Sequence, residues 1–309
     1  MANPEISIVL PTYNGSRYIA RSIESCLQQT FPNFELIIVN DCSTDNTQQI
    51  IQEFAKKDSR ITVIHNMLNK KLPLSLNTGF ESARGRYFTW TSDDNFYAAN
   101  ALETMISVLK NSNDVDLVYT DYTLIDENDA ITGIREFGNI NESFNKWLGC
   151  GACFLYKKKV HQTNNGYKPE AFLIEDYDFF VRAYTHYNFH YLPRTDLYFY
   201  REHSSSLTAT QTDFINDVSK MFLEKNLSAL EKKLSRKEAG LLYRKFAVYY
   251  AVQKNNPEKY KAYLSRLNCH SSSETLKTVF FVMYKKLQHS FQIGTAGFLY
   301  VLKVMFMRK

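Results

Sequence analysis

Tyr87-Phe88-Thr89-Trp90-Thr91-Ser92-Asp93-Asp94 is a short aromatic and β-branched run that ends in two adjacent carboxylates. Residues 87–91 have the length and composition of a buried strand, so the acid pair is placed at a strand's carboxyl end. Upstream, Ile6–Leu10 is a β-branched run stopped by Pro11, and Glu35–Val39 and Ile61–His65 read as two further strands. Helical spacing separates them. A helix from about Ser16 puts Ile19, Ile23, Cys26 and Leu27 on one face. Ser43 or Thr44 is expected to cap a second helix, with Ile50, Ile51 and Phe54 inward. Leu72–Ala83 forms a third, with Leu76, Phe80 and Ala83 on one side.

Strands that alternate with helices predict an α/β fold: a mostly parallel sheet with helices on both faces. Ligands of such sheets bind beyond the carboxyl ends of the strands. Tyr13-Asn14, Asp41 and Asp93-Asp94 all follow strands, so residues far apart in sequence converge on one rim. Each is an ordinary turn residue taken alone. Their shared position is the signal.

Downstream come a helix at Leu102–Leu109, a strand at Val115–Thr120 and a polar stretch with Asp126, Asn128 and Asp129. Trp147-Leu148-Gly149-Cys150-Gly151, an apolar run Ala152–Tyr156, Glu175–Arg182, Leu197–Tyr200 and Arg201-Glu202-His203 follow. From about Asp213 the spacing is helical. Phe214, Val218, Met221 and Phe222 form one set, and Leu242, Phe246, Tyr249 and Tyr250 another. Asn256-Pro257 opens a helix that carries Tyr260, Tyr263, Leu264 and Leu267. Residues 1–210 are therefore expected as one α/β domain and 211–309 as a helical C-terminal region.

The chain's 309 residues suffice for such a domain and a smaller unit. Its 44% hydrophobic and 22% charged content is that of a folded globular protein. Aromatic residues at 15% suit sugar stacking, but most are expected to be packing. A net charge of +5 points only weakly to an anionic partner, and nothing singles out nucleic acid. Five cysteines, an odd number, without a leader-like Met1–Glu5 segment predict a reduced, cytoplasmic setting. Cys150 and Cys153 have C-x-x-C spacing, but with no second pair a zinc or redox site is not expected.

Adjacent carboxylates at a strand end can hold Mg²⁺ or Mn²⁺, whose shell is completed by phosphate oxygens. Such a cation neutralises a departing diphosphate. The bland alternative is a solvated turn. Glu175-Asp176 offers a second acidic site, where a carboxylate could take the proton of an attacking hydroxyl. On a helix Asp178 and Arg182 would pair at i,i+4 while Asp176 faces elsewhere, which favours Asp176 as the base. An acidic first turn that steadies a helix start is the alternative. His203 is either a metal or phosphate contact or a structural histidine.

Together these residues resemble the inverting family-two glycosyltransferases of the GT-A fold over roughly residues 5–206. Ile6–Asn14 is similar to that family's first strand and nucleotide-binding turn, and Leu36–Asp45 to its second strand and acidic turn. Thr91-Ser92-Asp93-Asp94-Asn95 resembles its metal motif, and Glu175-Asp176-Tyr177-Asp178 its ED motif. The resemblance implies that residues 1–100 bind the nucleotide of a UDP-sugar and 101–210 the acceptor. By it Pro11 and Tyr13 line the uracil pocket, Asp41 bonds the base, and Asp93 contacts the ribose or metal shell. Asp94, with His203, would hold Mn²⁺ or Mg²⁺, and Asp176 would be the base of a single inverting displacement onto a glycan, lipid-linked or protein hydroxyl. That chemistry belongs to cell-surface polysaccharide or glycoconjugate synthesis.

Three departures stand out. Asn40-Asp41-Cys42 replaces two acids and a glycine, and Thr91 stands where many members have a further Asp. Lys70-Lys71 replaces small or polar residues, with Lys71 a candidate diphosphate contact. A nucleotidyltransferase would need a Gly-rich loop after the first strand, where Pro11–Gly15 has one glycine. A non-catalytic binding or scaffolding subunit would not need Asp93, Asp94 and Asp176.

The C-terminal stretch 276–309 has basic residues among aromatics and no acid. Two readings fit it: a helix in an anionic membrane interface, peripheral at the inner face, or packing against protein, including a homo-oligomer interface. Its longest stretch free of Lys and Arg is below the ~20 residues a bilayer span needs.

Overall fold

The computed structural model describes residues 3–203 and 212–291. Its first half runs β1 (Ile6–Thr12), α1 (Ile19–Leu27), β2 (Phe34–Asn40), α2 (Thr47–Lys57), β3 (Ile61–His65), α3 (Lys71–Ser82) and β4 (Tyr87–Trp90). Then come β5 (Phe96–Tyr97), α4 (Ala101–Asn111), β6 (Leu117–Thr120), β7 (Tyr122–Ile125), β8 (Ile131–Arg135) and β9 (Phe154–Lys157). They are followed by α5 (Lys158–Asn164), α6 (Glu175–Tyr184), β10 (Phe189–Leu192) and β11 (Tyr198–Arg201).

A seven-stranded sheet has the order β10-β6-β9-β4-β1-β2-β3, and a four-stranded sheet the order β5-β11-β7-β8. β1 pairs in parallel with β2 and β4, whereas β9 runs antiparallel between β4 and β6. The mixed, mostly parallel sheet flanked by helices is the GT-A-like fold expected. Every residue of β1 and β2 is buried, as befits apolar runs covered on both faces. Ile8, Leu10, Leu36 and Ile38 are fully enclosed, each stabilising the core by roughly 1.5–3 kcal/mol.

α3 lies close on this sheet, because a Cβ at Gly79 would meet Val9 Cγ1 at 2.4 Å. β1 and β2 both carry the chain to the sheet's carboxyl edge. Their following loops therefore lie side by side, with Asp93-Asp94 arriving from the neighbouring β4.

The chain forms two compact units, Met1–Ser228 and Ala229–Lys309. The first extends past residue 210 because α7 (Thr212–Lys225) packs on the α6 region. Ile215, Val218 and Phe222 join Ala171, Ile174 and Tyr177 in one apolar cluster. A short helix, α8 (Leu227–Lys233), spans the division.

The second unit contains α9 (Arg236–Val248), a π turn at Tyr249–Gln253, α10 (Pro257–His270) and α11 (Ser272–Phe291). Ser235 caps α9 by accepting from the Glu238 N–H at 3.2 Å. Asn256 caps α10 in the same way from Lys259, with Pro257 at the first helical position, as the sequence predicts. Tyr263 stacks on Phe246 at 4.9 Å between ring centres, joining α9 and α10. Among the described residues no helix is long and apolar enough to cross a membrane. Residues 292–309 of the basic and aromatic 276–309 stretch lie outside the described residues.

Candidate functional site

The rim begins with two loops stapled together. Asn14 adopts φ 55°, and its Oδ1 accepts from the Thr44 N–H at 2.8 Å while its own N–H donates to Ser43 Oγ at 3.0 Å. Ser43 and Thr44 thus face the β1–α1 loop rather than capping α2. The α2 start is held instead by Asp45, whose Oδ1 accepts from the Thr47 N–H at 3.0 Å and whose Oδ2 accepts from the Ser16 N–H at 3.2 Å. Burial works against the Asp45 charge, but the bonds from Thr47 and Ser16 outweigh it and bring the carboxyl to about 2.

Asp41, 4% exposed at the end of β2, is the second anchor. Its Oδ1 accepts from Asn66 Nδ2 (2.8 Å) and the Lys70 N–H (2.9 Å), and its Oδ2 from the Lys71 N–H (2.9 Å). The carboxylate therefore caps the start of α3. Three of its roughly four acceptor positions are taken, leaving room for one further N–H. Lys71, with φ 68°, binds Asp41 through its backbone, and its side chain is exposed. Of the uracil-pocket candidates, Pro11 is buried in β1 opposite Val39, whereas Tyr13 is 51% exposed.

Beyond β4, Asp93 Oδ2 accepts from Thr12 Oγ1 at 2.5 Å. Burial, then the adjacent Asp94 charge, push the Asp93 carboxyl up to about 7. Gly15 lies directly over this group: a Cβ there would stand 2.1 Å from Asp93 Oδ2 and 2.7 Å from Thr12 Oγ1. Gly15→Ala must therefore displace a carboxylate already held by Thr12. Displacement of that order lowers kcat/KM by about 10²-fold, with an unchanged circular dichroism spectrum as the control.

Asp94 meets a residue from the other end of the domain: its Oδ2 lies 3.1 Å from His203 Nε2. The Asp94 hydrogen bond raises the His203 pKa against the opposing effect of burial. Asp94 Oδ1 is buried with no hydrogen-bond partner. Two ligands of one octahedral Mg²⁺ at about 2.1 Å each would stand about 3 Å apart, so the pair and the orphaned oxygen fit a divalent cation. Among the described residues no group of three or more His, Cys, Asp or Glu side chains stands ready for a metal. A cation shared with a diphosphate is usually held by one or two protein carboxylates, its shell completed by water and phosphate oxygens.

Arg201, 2% exposed on β11, locks this corner. Its N–H donates to Asn95 Oδ1 (2.8 Å), its Nε to the Asp94 carbonyl (3.0 Å) and its Nη1 to the Asp126 carbonyl (2.6 Å). Nη2 pairs with Asp129, and the guanidinium lies 4.3 Å over the Tyr18 ring. Arg201→Met leaves the Asp94 and Asp126 carbonyls and the Asp129 carboxylate without their side-chain donor and lowers unfolding free energy by about 3 kcal/mol in urea titrations. Nothing local in the sequence singles out Arg201, Thr12 or Gly15. Their roles depend on partners far along the chain.

Glu175 and Asp176 open α6. Asp178 is 1% exposed and accepts from Arg182 Nε at 2.8 Å, the i,i+4 pair that the spacing predicts, which removes it from the chemistry. Asp176 Oδ1 accepts from the Tyr177 N–H at 2.6 Å. Glu175 is 7% exposed, with Oε2 lacking a partner. Burial raises both carboxyls, and the Asp176 charge raises Glu175 further. The Asp176 charge thus favours the proton on Glu175. Cys150 and Cys153 are buried free thiols raised by burial, the latter to about 12, so the C-x-x-C pair is unreactive.

Residues 7–164, just over half of the chain, match the family described as Glycosyl transferase family 2. The chain belongs to this family.

Among its relatives, the Escherichia coli UDP-Glc:alpha-D-GlcNAc-diphosphoundecaprenol beta-1,3-glucosyltransferase WfgD is 36% identical over 126 residues, 41% of this chain and 49% of that one. The chain spans less than half the length of this relative and of the Rickettsia relatives it matches. In fold it is similar to Staphylococcus aureus TarS 1-349 in complex with UDP-GlcNAc (TM-score 0.63, 18% identity, 91% of this chain and 83% of that one). It is also similar to Pyrobaculum calidifontis mannosyltransferase PcManGT in complex with GDP-Man and Mn²⁺ (TM-score 0.56, 14% identity, 94% of this chain and 82% of that one).

The departures of this family-2 member have structural reasons. Cys42 is held at φ 65°, a left-handed conformation that glycine adopts without cost. Thr91 Oγ1 lies 2.7 Å from the Tyr198 hydroxyl, so it joins the two sheets and is not turned to the rim.

Proposed function

We propose that the chain is an inverting, metal-dependent glycosyltransferase that moves a sugar from a UDP-sugar to a hydroxyl of a surface-glycan precursor. The meeting of Asp94 with His203, 3.1 Å apart beside an unpartnered Asp94 oxygen, carries this reading. It is the arrangement a diphosphate-bound cation needs, and it lies beside the stapled nucleotide loops. Asp94 and His203 would hold Mn²⁺ or Mg²⁺, which offsets the charge that develops on the departing diphosphate.

The remaining acceptor position of Asp41 suits the N–H of uracil, with Pro11 and Tyr13 beside it, Asp93 at the ribose and Lys71 near the diphosphate. Asp176 takes the acceptor hydroxyl's proton as that oxygen attacks the anomeric carbon. The bond from that carbon to UDP breaks, and the configuration inverts. The lipid-linked acceptor in WfgD's name supports a similar acceptor here, met at the cytoplasmic face of the membrane, with the basic and aromatic 276–309 stretch as the candidate membrane contact.

Release of UDP from UDP-Glc, UDP-Gal, UDP-GlcNAc and UDP-GalNAc with Mn²⁺ tests the reading. One of the four should be turned over. Turnover confined to a GDP- or dTDP-sugar would refute the uracil assignment.

A further inference from the structure

A pocket of about 390 Å³ opens between the start of α1 and the turn that joins β7 to β8, both in the first unit. Its size is that of a small-ligand site. Arg17, Tyr18 and Arg21 form one wall and residues 127–129 the other, and Arg201 touches both. The pocket adjoins the metal corner without being part of it. Arg201 Nε bonds the Asp94 carbonyl at 3.0 Å, and the Tyr18 ring stands 6.1 Å from that of His203.

Both walls are held in place. Asp126 Oδ1 accepts from the Asn128 and Ala130 N–H groups at 2.8 and 2.9 Å, and Asp129 adopts φ 65°. Arg201 grips the same turn through the Asp126 carbonyl and the Asp129 carboxylate. On the α1 side the guanidinium groups of Arg17 and Arg201 stand 4.8 and 4.3 Å from the Tyr18 ring centre. That of Arg21 lies 4.6 Å from the ring centre of Phe96. Side chains ordered in this way have less freedom to lose when a ligand arrives.

The charges decide which ligand fits. Arg17 pairs with Glu127 at 2.8 Å and Arg201 with Asp129. Among the described residues Arg21 is the one cation of the pocket without a carboxylate partner. A phosphate would therefore meet two carboxylates and a single unneutralised cation. The pairs still have hydrogen bonds to offer, because a guanidinium and a carboxylate each have more bonding positions than one such contact occupies. The Arg17–Glu127 pair is exposed, so it is weak and rearranges readily around a ligand. Asn128, exposed in the turn, adds an amide that both donates and accepts.

Interleaved donors and acceptors of nearly balanced charge complement a polyol, each hydroxyl of which both donates and accepts. We propose that this pocket is a saccharide subsite separate from the donor's, holding a sugar unit of the acceptor glycan beside the metal corner. The acceptor role rests on the reading of the rim as a UDP-sugar site.

Saturation-transfer NMR on the full chain, with UDP and Mn²⁺ saturating, tests the subsite with the methyl β-glycosides of Glc, Gal, GlcNAc and GalNAc as probes. Wild type should bind at least one of them saturably. Its Kd should rise about 10-fold or more in Arg21→Met, which keeps the stem over Phe96 but removes the N–H donors. In Asn128→Ala it should rise about fivefold. UDP affinity in calorimetric titration should stay within about twofold in both variants, because neither residue holds the nucleotide loops or the cation.

Failure of all four glycosides to bind, or equal Kd values in wild type and variants, would overturn the inference. So would competitive displacement of the glycoside by inorganic phosphate, which marks an anion site. Glycoside binding that depends on Arg21 and Asn128 in a chain that binds no UDP would overturn the UDP-sugar reading, and with it the acceptor role, but keep the saccharide pocket. UDP binding without glycoside binding overturns the pocket alone.

Discussion

Asp176→Asn lowers kcat by about 10³-fold while KM for the UDP-sugar and the Kd for UDP change by no more than about twofold. Asparagine keeps the shape and the acceptor for the Tyr177 N–H but cannot take up the hydroxyl proton. The loss is therefore confined to the chemical step, which is how removal of a group needed only in the transition state reads out. Asp178→Asn is the contrast. Its carboxylate is spent on Arg182, so the substitution weakens the helix and lowers stability before it alters kcat. The pH profile follows from the raised Asp176 pKa. The active form is the carboxylate, so kcat/KM rises with pH and its inflection lies above the ordinary carboxylate range. In Asp176→Asn that inflection disappears.

Asp94→Ala removes the cation dependence of nucleotide binding and lowers kcat/KM by about 10³-fold or more, the scale of losing charge stabilisation at the leaving group. Titration with Mn²⁺ in the presence of UDP should show a saturable site in the wild type and none in the variant. His203→Ala gives a smaller loss, because the carboxylate carries the charge. The paired imidazole adds a pH term with a definite sign. The Asp94 bond raises the His203 pKa, so in the metal-free protein the pair stabilises the fold at low pH and that contribution is lost as pH rises through the raised value. A cation needs neutral imidazole, so Mn²⁺ affinity moves the other way and grows as pH rises.

The rim was legible in the sequence because β1, β2 and β4 are short apolar runs whose ends are marked by Pro11, Asp41 and Asp93. Alternation with helices then fixed the edge on which those ends meet. The Asp178–Arg182 pair was legible for a local reason, since i,i+4 neighbours on a helix must touch. What stayed hidden depends on distance along the chain. Arg201 reads as one cation in a charged tripeptide, and only the fold surrounds it with Asp94, Asn95, Asp126 and Asp129. Gly15 reads as a turn glycine until the Asp93 carboxylate is found beneath it. Ser43 and Thr44 have the residue types of helix caps, but Asn14 competes for them and Asp45 takes the capping role. The family resemblance makes Asp41 a base contact, and only the fold shows that its bonds to Asn66, Lys70 and Lys71 also hold the start of α3.

Calorimetric titration of the full chain with UDP and GDP, each with and without Mn²⁺, tests the central claim most directly. The geometry of Asp41, Asp93, Asp94 and His203 predicts UDP binding that requires the cation and exceeds GDP binding at least tenfold. UDP binding of equal strength with and without Mn²⁺, or a preference for GDP, would contradict it.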